Sequence, residues 1–373
     1  MKNLHTFSRV ALAAGIGILA SSGFAQNSSD AAAKPYKILN SSQTMGNGGI
    51  DYVATDSDNR KIYVPRGNQV LVFDLDTLKQ AGAIPGLKGG HGVAIDSASG
   101  HGFSSSNPVL MWDTKTLQPI TNITVTGRPD GILFEAFTER IYILSHSSPN
   151  ITAIDGKDGS IVGTLDIGGA PEQAQSDGKG NVYVDLEDKD SIAVVDAKAL
   201  KLTTTYSLAG KGGGPGGLGL DAKNNILFAF CHEPAVCVVL SATDGKILTT
   251  LPIGKGTDGG GFNPNTMEAF SSQGDATLTI IKENSPTDFV VEQTVQTKPR
   301  AKTCALDTKN NAIVLIAVER APAPPAADGA PAPATQPGGA PAPAAGGDQG
   351  GGRPRGGGRN NGPGLLDILV VGR

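Results

Sequence analysis

Three histidines, His91, His146 and His232, stand in glycine-, serine- or proline-marked stretches rather than in apolar runs, as do the carboxylates Asp130, Glu172 and Asp258. Imidazole with carboxylate is a ligand set for zinc or copper, at about 2.0–2.3 Å from the ion. Carboxylates alone suit calcium or an acid–base pair. No HxH or HxxxH pair brings two imidazoles together, so the spacing assigns no metal and reads the histidines as hydrogen-bonded loop residues. Arg128, Arg300 and Lys302 give the carboxylates ion-pair partners, and turn capping with salt bridges is their expected use. No catalytic residue and no cofactor is assigned. The run GGGPGG at 212–217 lacks the Lys-Ser/Thr and the helix of a phosphate loop. DLDTLK at 74–79 lacks the Gly and terminal Glu of an EF-hand.

The elements that carry these residues repeat. The stretch 128–169 reads as four short strands with alternating apolar residues between Gly, Asn and Asp turns. An aromatic of the second strand recurs at Tyr63, Phe103, Tyr142, Tyr183, Phe228 and Phe270, with Val314 in a seventh copy. A period of about 40 residues marks a propeller or solenoid. A turn residue precedes each anchor: Asp56, Asp96, Glu135, Asp177, Asp221, Asn263 and Asp307. Third strands read VLVFD (70–74), VLMWD (109–113), ITAID (151–155) and IAVVD (192–196). The fold expected is an all-β, seven-bladed propeller of four-stranded antiparallel blades, since a lone blade has two faces to bury and radial stacking covers both.

In that fold the lead-ins to the first strands and the loops between second and third strands open on one rim. His91, Arg128, Asp130, His146, Glu172, His232, Asp258 and Lys302 are then the candidate ligand-binding residues, and His101 belongs to the opposite rim. Glycines at the lead-ins let backbones crowd near the axis or leave a ligand room.

The chain ends add three expectations. Residues 1–25 carry Lys2, Arg9, an apolar run at 10–20 and Gly23-Phe24-Ala25, the pattern of a cleaved secretory signal peptide. The run is too short to span a bilayer, so a periplasmic or secreted protein without a membrane span is expected, after a linker at 26–35. Cleavage deepens a formal net charge of −4, which opposes general attraction to nucleic acid. Residues 36–320 form the propeller. The Pro/Ala/Gly-rich insertion at 321–364 is expected to be disordered. A strand at 365–371, within a C-terminal segment 365–373, completes the last blade, and a strand at 36–43 closes the ring as its outermost member. Within the insertion, Arg353, Arg355 and Arg359 are nucleic-acid candidates, because the tract is similar to Arg/Gly segments that bind single strands. Cys231 and Cys237 flank a hairpin loop and are a disulfide candidate worth about 2 kcal/mol; Cys304 is expected to be buried and inert.

KIYVPRGNQVLVFDLDTL and NVYVDLEDKDSIAVVDAKAL resemble the YVTN repeat of the YncE-like β-propeller family. Copies two, five and six depart from the Tyr-Val pair at Gly102-Phe103-Ser104, Phe228-Ala229 and Ala269-Phe270. The resemblance implies an exported propeller; some members bind DNA, and others associate with redox or surface-layer proteins. The function expected is a monomeric, non-enzymatic propeller that holds a protein, a small molecule or DNA on one rim. A metal-dependent, lactonase-like hydrolase is the alternative.

Overall fold

The computed structural model describes residues 34–320 and 363–373. The expected signal peptide, most of the linker at 26–35, nearly all of the insertion at 321–364 and its Arg353, Arg355 and Arg359 lie outside the described residues.

Blade three shows how residues dictate the sheet. Its second strand, Arg140–Ser145, runs Ile141, Tyr142, Ile143 and Leu144, each at most 1% exposed. Successive side chains of a strand point to opposite faces. Tyr142 and Leu144 accordingly join a core shared with blade four, while Ile141 and Ile143 join one shared with blade two. A strand apolar on both faces needs a neighbour on each side. Pro129–Glu135 lies inside it, Ile151–Asp155 and Ile161–Leu165 outside it, all antiparallel.

Seven such four-stranded sheets form the described chain. Seven apolar clusters lie between them, each drawn from two neighbouring blades, so every blade face is covered and the ring is closed. The single short 3-10 turn at Glu187–Lys189 is the only helical piece among the described residues. No helix there is long and apolar enough to cross a membrane.

The recurrent acidic residues before the second strands make the turns. Asp56 accepts the Asn59 N–H at 3.0 Å, Asp177 the Lys179 N–H at 2.7 Å, and Asp221 the Lys223 N–H at 2.9 Å. Glu135 does the same for Phe137 and Thr138. Such side chains hold a turn by accepting backbone donors two or three residues on.

The last blade combines the first and the last of the described strands. Thr303–Asp307 and Ala312–Arg320 are followed by Pro363–Gly372, and Lys37–Asn47 pairs antiparallel on its outer edge, with Ser42 opposite Ile368. The closing strand extends beyond the expected 36–43 because Arg66 fixes its far end. The buried Arg66 guanidinium donates to the carbonyls of Gly46 and Gly364, both at 2.8 Å, and of Thr44 at 3.2 Å. At the other end Arg373 lies over the Tyr36 ring, 4.4 Å from its centre. It also pairs with Glu268 and, at 2.8 Å, with Glu292 of blade six.

The expected bridge between Cys231 and Cys237 is not formed; both thiols are free and buried. In the ladder Cys231 faces Val236 and Cys237 faces Phe230. The two cysteines are one position out of register, so their side chains leave opposite faces of the sheet. Cys231 packs against blade four and Cys237 against blade six. Burial pushes the Cys231 thiol up to about 12.

Candidate axial ligand site

The residue that leads into each innermost strand occupies one place around the ring. Asp51, His91, Asp130, Gly216, Asp258 and Lys302 each lie twelve residues before the anchor of their own copy, and Glu172 lies eleven before Tyr183. In blades three to six the pairing slips at this point, between Pro129 and Ile132, Pro171 and Ala174, Pro215 and Gly217, and Thr257 and Gly260. A bulge at the start of a strand re-aims the residue it contains. The slipped segments contain Asp130, Glu172, Gly216 and Asp258.

Small residues let the inner strands approach. A Cβ added to Gly131 would stand 2.2 Å from the Glu172 carbonyl oxygen, and one on Gly217 would stand 2.8 Å from the Gly259 backbone. Backbone crowding therefore requires these two glycines.

The site residues divide into two groups. Through blades one to four they form a chain of contacts. His91 Nδ1 lies 2.7 Å from Asp51 Oδ2 and 2.8 Å from Asp130 Oδ1. His146, from the loop after Arg140–Ser145, places Nε2 3.2 Å from Asp130 Oδ2 and 3.3 Å from Glu172 Oε1. The Tyr52 hydroxyl donates to Glu172 Oε2 at 3.1 Å. On the far side, Lys302 forms an ion pair with Asp258. His232 stands above Gly216, 3.9 Å from Glu187 Oε1, and apart from the other two histidines in this sense: it belongs to neither His–carboxylate triad. Of the expected ion pairs with Arg128, Arg300 or Lys302, Lys302–Asp258 is formed; Arg128 is exposed, and Asp130 and Glu172 meet the histidines.

Burial sets the electrostatics. It raises the Glu172 carboxyl above its ordinary value, against the His146 hydrogen bond and with help from Asp130. Burial likewise raises Asp258, opposed by Lys302. Burial pulls Lys302 down, but the charge and hydrogen bond of Asp258, together with the charges of Asp51 and Glu172, hold it above the usual lysine value. Tyr52 is raised well above its ordinary range by burial, then by the charge of Glu172, and so stays a donor.

Beneath this mouth lies a cavity of about 420 Å³ whose lining includes Tyr52, Gly131, Glu172, Gln173, Gly260 and Phe262. Gln173 ties blade four to blades five and six, accepting from Leu218 N at 2.8 Å and Gly260 N at 3.1 Å. Asp185, fully buried, accepts the N–H groups of Glu172 at 3.2 Å and Gln173 at 2.6 Å.

Solved structures confirm the architecture: 1585 chains match. One, from a structure described as the mitotic checkpoint complex, aligns with a TM-score of 0.64 at 12% identity, covering 84% of this chain and 95% of that one. The chain is a seven-bladed propeller. At that identity the likeness shows fold alone, since one propeller architecture hosts unrelated functions. No family model matches the sequence, and no curated protein does.

Sequence reasoning missed Asp51, Tyr52, Gln173 and Asp185. For Asp51 the signal existed, in the constant twelve-residue offset from Tyr63. Asp185 lies mid-strand, where no local pattern separates it from an outward-facing residue.

Proposed function

We propose that this chain is an exported binding propeller of the YVTN-repeat type whose axial mouth captures a cationic ligand or the cationic part of a partner. The observation that carries this reading is the charge of the mouth. Asp51, Asp130, Glu172 and Asp258 converge there against Lys302, and Glu172 and Asp258 are raised by burial. Carboxylates held at that cost are relieved by an incoming cation. An anionic polymer meets the wrong sign of field at this face. The signal-like residues 1–25 support export, and the repeat resemblance supports the family.

Calorimetric titration with spermidine, a quaternary amine and duplex DNA at about 0.15 M salt tests the reading. The cations are expected to bind, with affinity at least tenfold lower in Glu172→Gln and Asp258→Asn. Duplex DNA binding that is insensitive to both substitutions would displace the reading. A metal-dependent hydrolase is a second reading, favoured by the two imidazoles lying within ligand distance of three carboxylates. Turnover of ester or lactone substrates by zinc-loaded protein, abolished in His146→Gln, would establish it instead.

A further inference from the structure

Two ring nitrogens in the mouth each face two carboxylates. His91 Nδ1 is 2.7 Å from Asp51 and 2.8 Å from Asp130, and His146 Nε2 is 3.2 Å from Asp130 and 3.3 Å from Glu172. A ring nitrogen carries at most one hydrogen, directed along one line. It cannot point at both carboxylates of a pair at once, and each pair holds two like charges close together. A cation between them removes that repulsion.

The spacing sets how many cations. Donor atoms of Asp51, His91 and Asp130 lie within 4.8 Å of one another, and so do those of Asp130, His146 and Glu172. An ion with nitrogen and oxygen ligands at about 2.0–2.2 Å keeps opposed donors within about 4.4 Å. Each triad is close to that size, and seating an ion opens the His91 contacts, now at hydrogen-bond distance, by a few tenths of an ångström; the two triads do not merge into one group. They share Asp130, and they use different oxygens of it, Oδ1 toward His91 and Oδ2 toward His146.

We propose that the axial mouth binds two divalent first-row transition-metal ions side by side, one held by Asp51, His91 and Asp130, the other by Asp130, His146 and Glu172, with the Asp130 carboxylate bridging them. The proposal deepens the cation-capturing reading above and rests on it. Imidazole in both sets favours zinc, iron, nickel or copper over calcium and magnesium, which take oxygen ligands.

The groups behind the ligands are those that orient a metal site. Tyr52 donates to the second oxygen of Glu172 at 3.1 Å. The Ser105 hydroxyl donates to the Asp130 carbonyl. Asp185 anchors the backbone of Glu172 through Oδ1, while its Oδ2 is fully buried without a protein hydrogen bond. Three protein ligands per ion leave positions for water or a ligand group, above the cavity lined by Tyr52, Glu172 and Gln173.

The test uses the full chain without a histidine tag, stripped with chelator and titrated with zinc against a chromophoric competitor, with bound metal counted by mass spectrometry. Two zinc ions per chain are expected. His91→Gln and His146→Gln should each retain one, and Asp130→Asn should weaken both at least a hundredfold. His101→Gln, on the opposite face, should keep two. Circular dichroism and thermal melts verify folding of each variant. One zinc ion per chain, or loss of the same ion from both histidine variants, would overturn the shared-carboxylate arrangement. No zinc, while spermidine titration still depends on Glu172 and Asp258, would remove the metal proposal and leave the binding reading standing. Two zinc ions without spermidine or quaternary-amine binding would keep the metal site and confine the cation reading to metal ions.

Discussion

Glu283 is buried between blades five and six, where Asn224 donates to Oε1 at 2.9 Å. Burial, opposed by that hydrogen bond and reinforced by the charge of Asp221, pushes its carboxyl up to about 7. In an unfolded chain the same group titrates at about 4.3. Folding therefore takes up a proton between those values. The stabilisation is complete below the unfolded value and is lost as pH rises through about 7. Glu283→Gln keeps an acceptor for Asn224 and removes the titration. Thermal melts from pH 5 to 8 should show a decline in the wild-type protein that is flatter in the variant. Parallel curves would mean that Glu283 does not hold its proton. Single residues of this kind were the least legible in the sequence. The alternating strands announce which residues are buried, but not which carboxylate meets another from the next blade. The axial mouth was half legible: His91, Asp130, His146 and Glu172 could be placed on one rim. Their convergence on Asp130 depends on bulges that local spacing does not reveal.

Strands were the legible level, and the departures from the repeat have local causes. Blade two replaces the tyrosine-side neighbour with Gly102 because Trp112 pairs with it across the ladder; a Cβ there would stand 2.3 Å from the indole. The closing strand was expected, whereas its anchor was not. Arg66 reads as a loop residue in the sequence, yet its side chain is 2% exposed and reaches carbonyls on two other strands and a loop. The planar fork of arginine serves several acceptors at once, and lysine cannot reproduce it. Arg66→Met should leave those carbonyls short of donors and cost about 2–4 kcal/mol in urea unfolding. Amide exchange should accelerate at residues 44–47 before it does elsewhere in the ring. A loss below about 0.5 kcal/mol, within the range of an ordinary surface substitution, would mean that the guanidinium does not hold this strand.

At the scale of the whole molecule, stability depends on closure. Pro363–Gly372 lies inside the last blade, between Ala312–Arg320 and Lys37–Asn47. Its side chains alternate between two cores: Leu366 and Ile368 face blade one, Leu369 and Val371 face blade six, and all four are at most 1% exposed. Fully burying an aliphatic side chain is worth about 1.5–3 kcal/mol. Four of them, with the ladder on both sides, amount to about as much as the 5–15 kcal/mol by which a domain is stable. Removing residues 363–373 strips the inner faces of two blade interfaces and leaves the outermost strand unpaired. It also removes Arg373 from Tyr36, Glu268 and Glu292. The truncated chain should therefore lose its cooperative calorimetric transition, or melt more than about 10 °C lower. A synthetic peptide of residues 363–373 added in excess should restore part of the loss, because the slot it fills is formed by strands that remain. Arg373→Ala alone should produce a smaller shift in the same direction, since it removes the outer latch and leaves both cores intact. A truncated protein that melts with the full-length one would show that six complete blades hold the ring without the seventh, and that the meeting of the chain ends is dispensable.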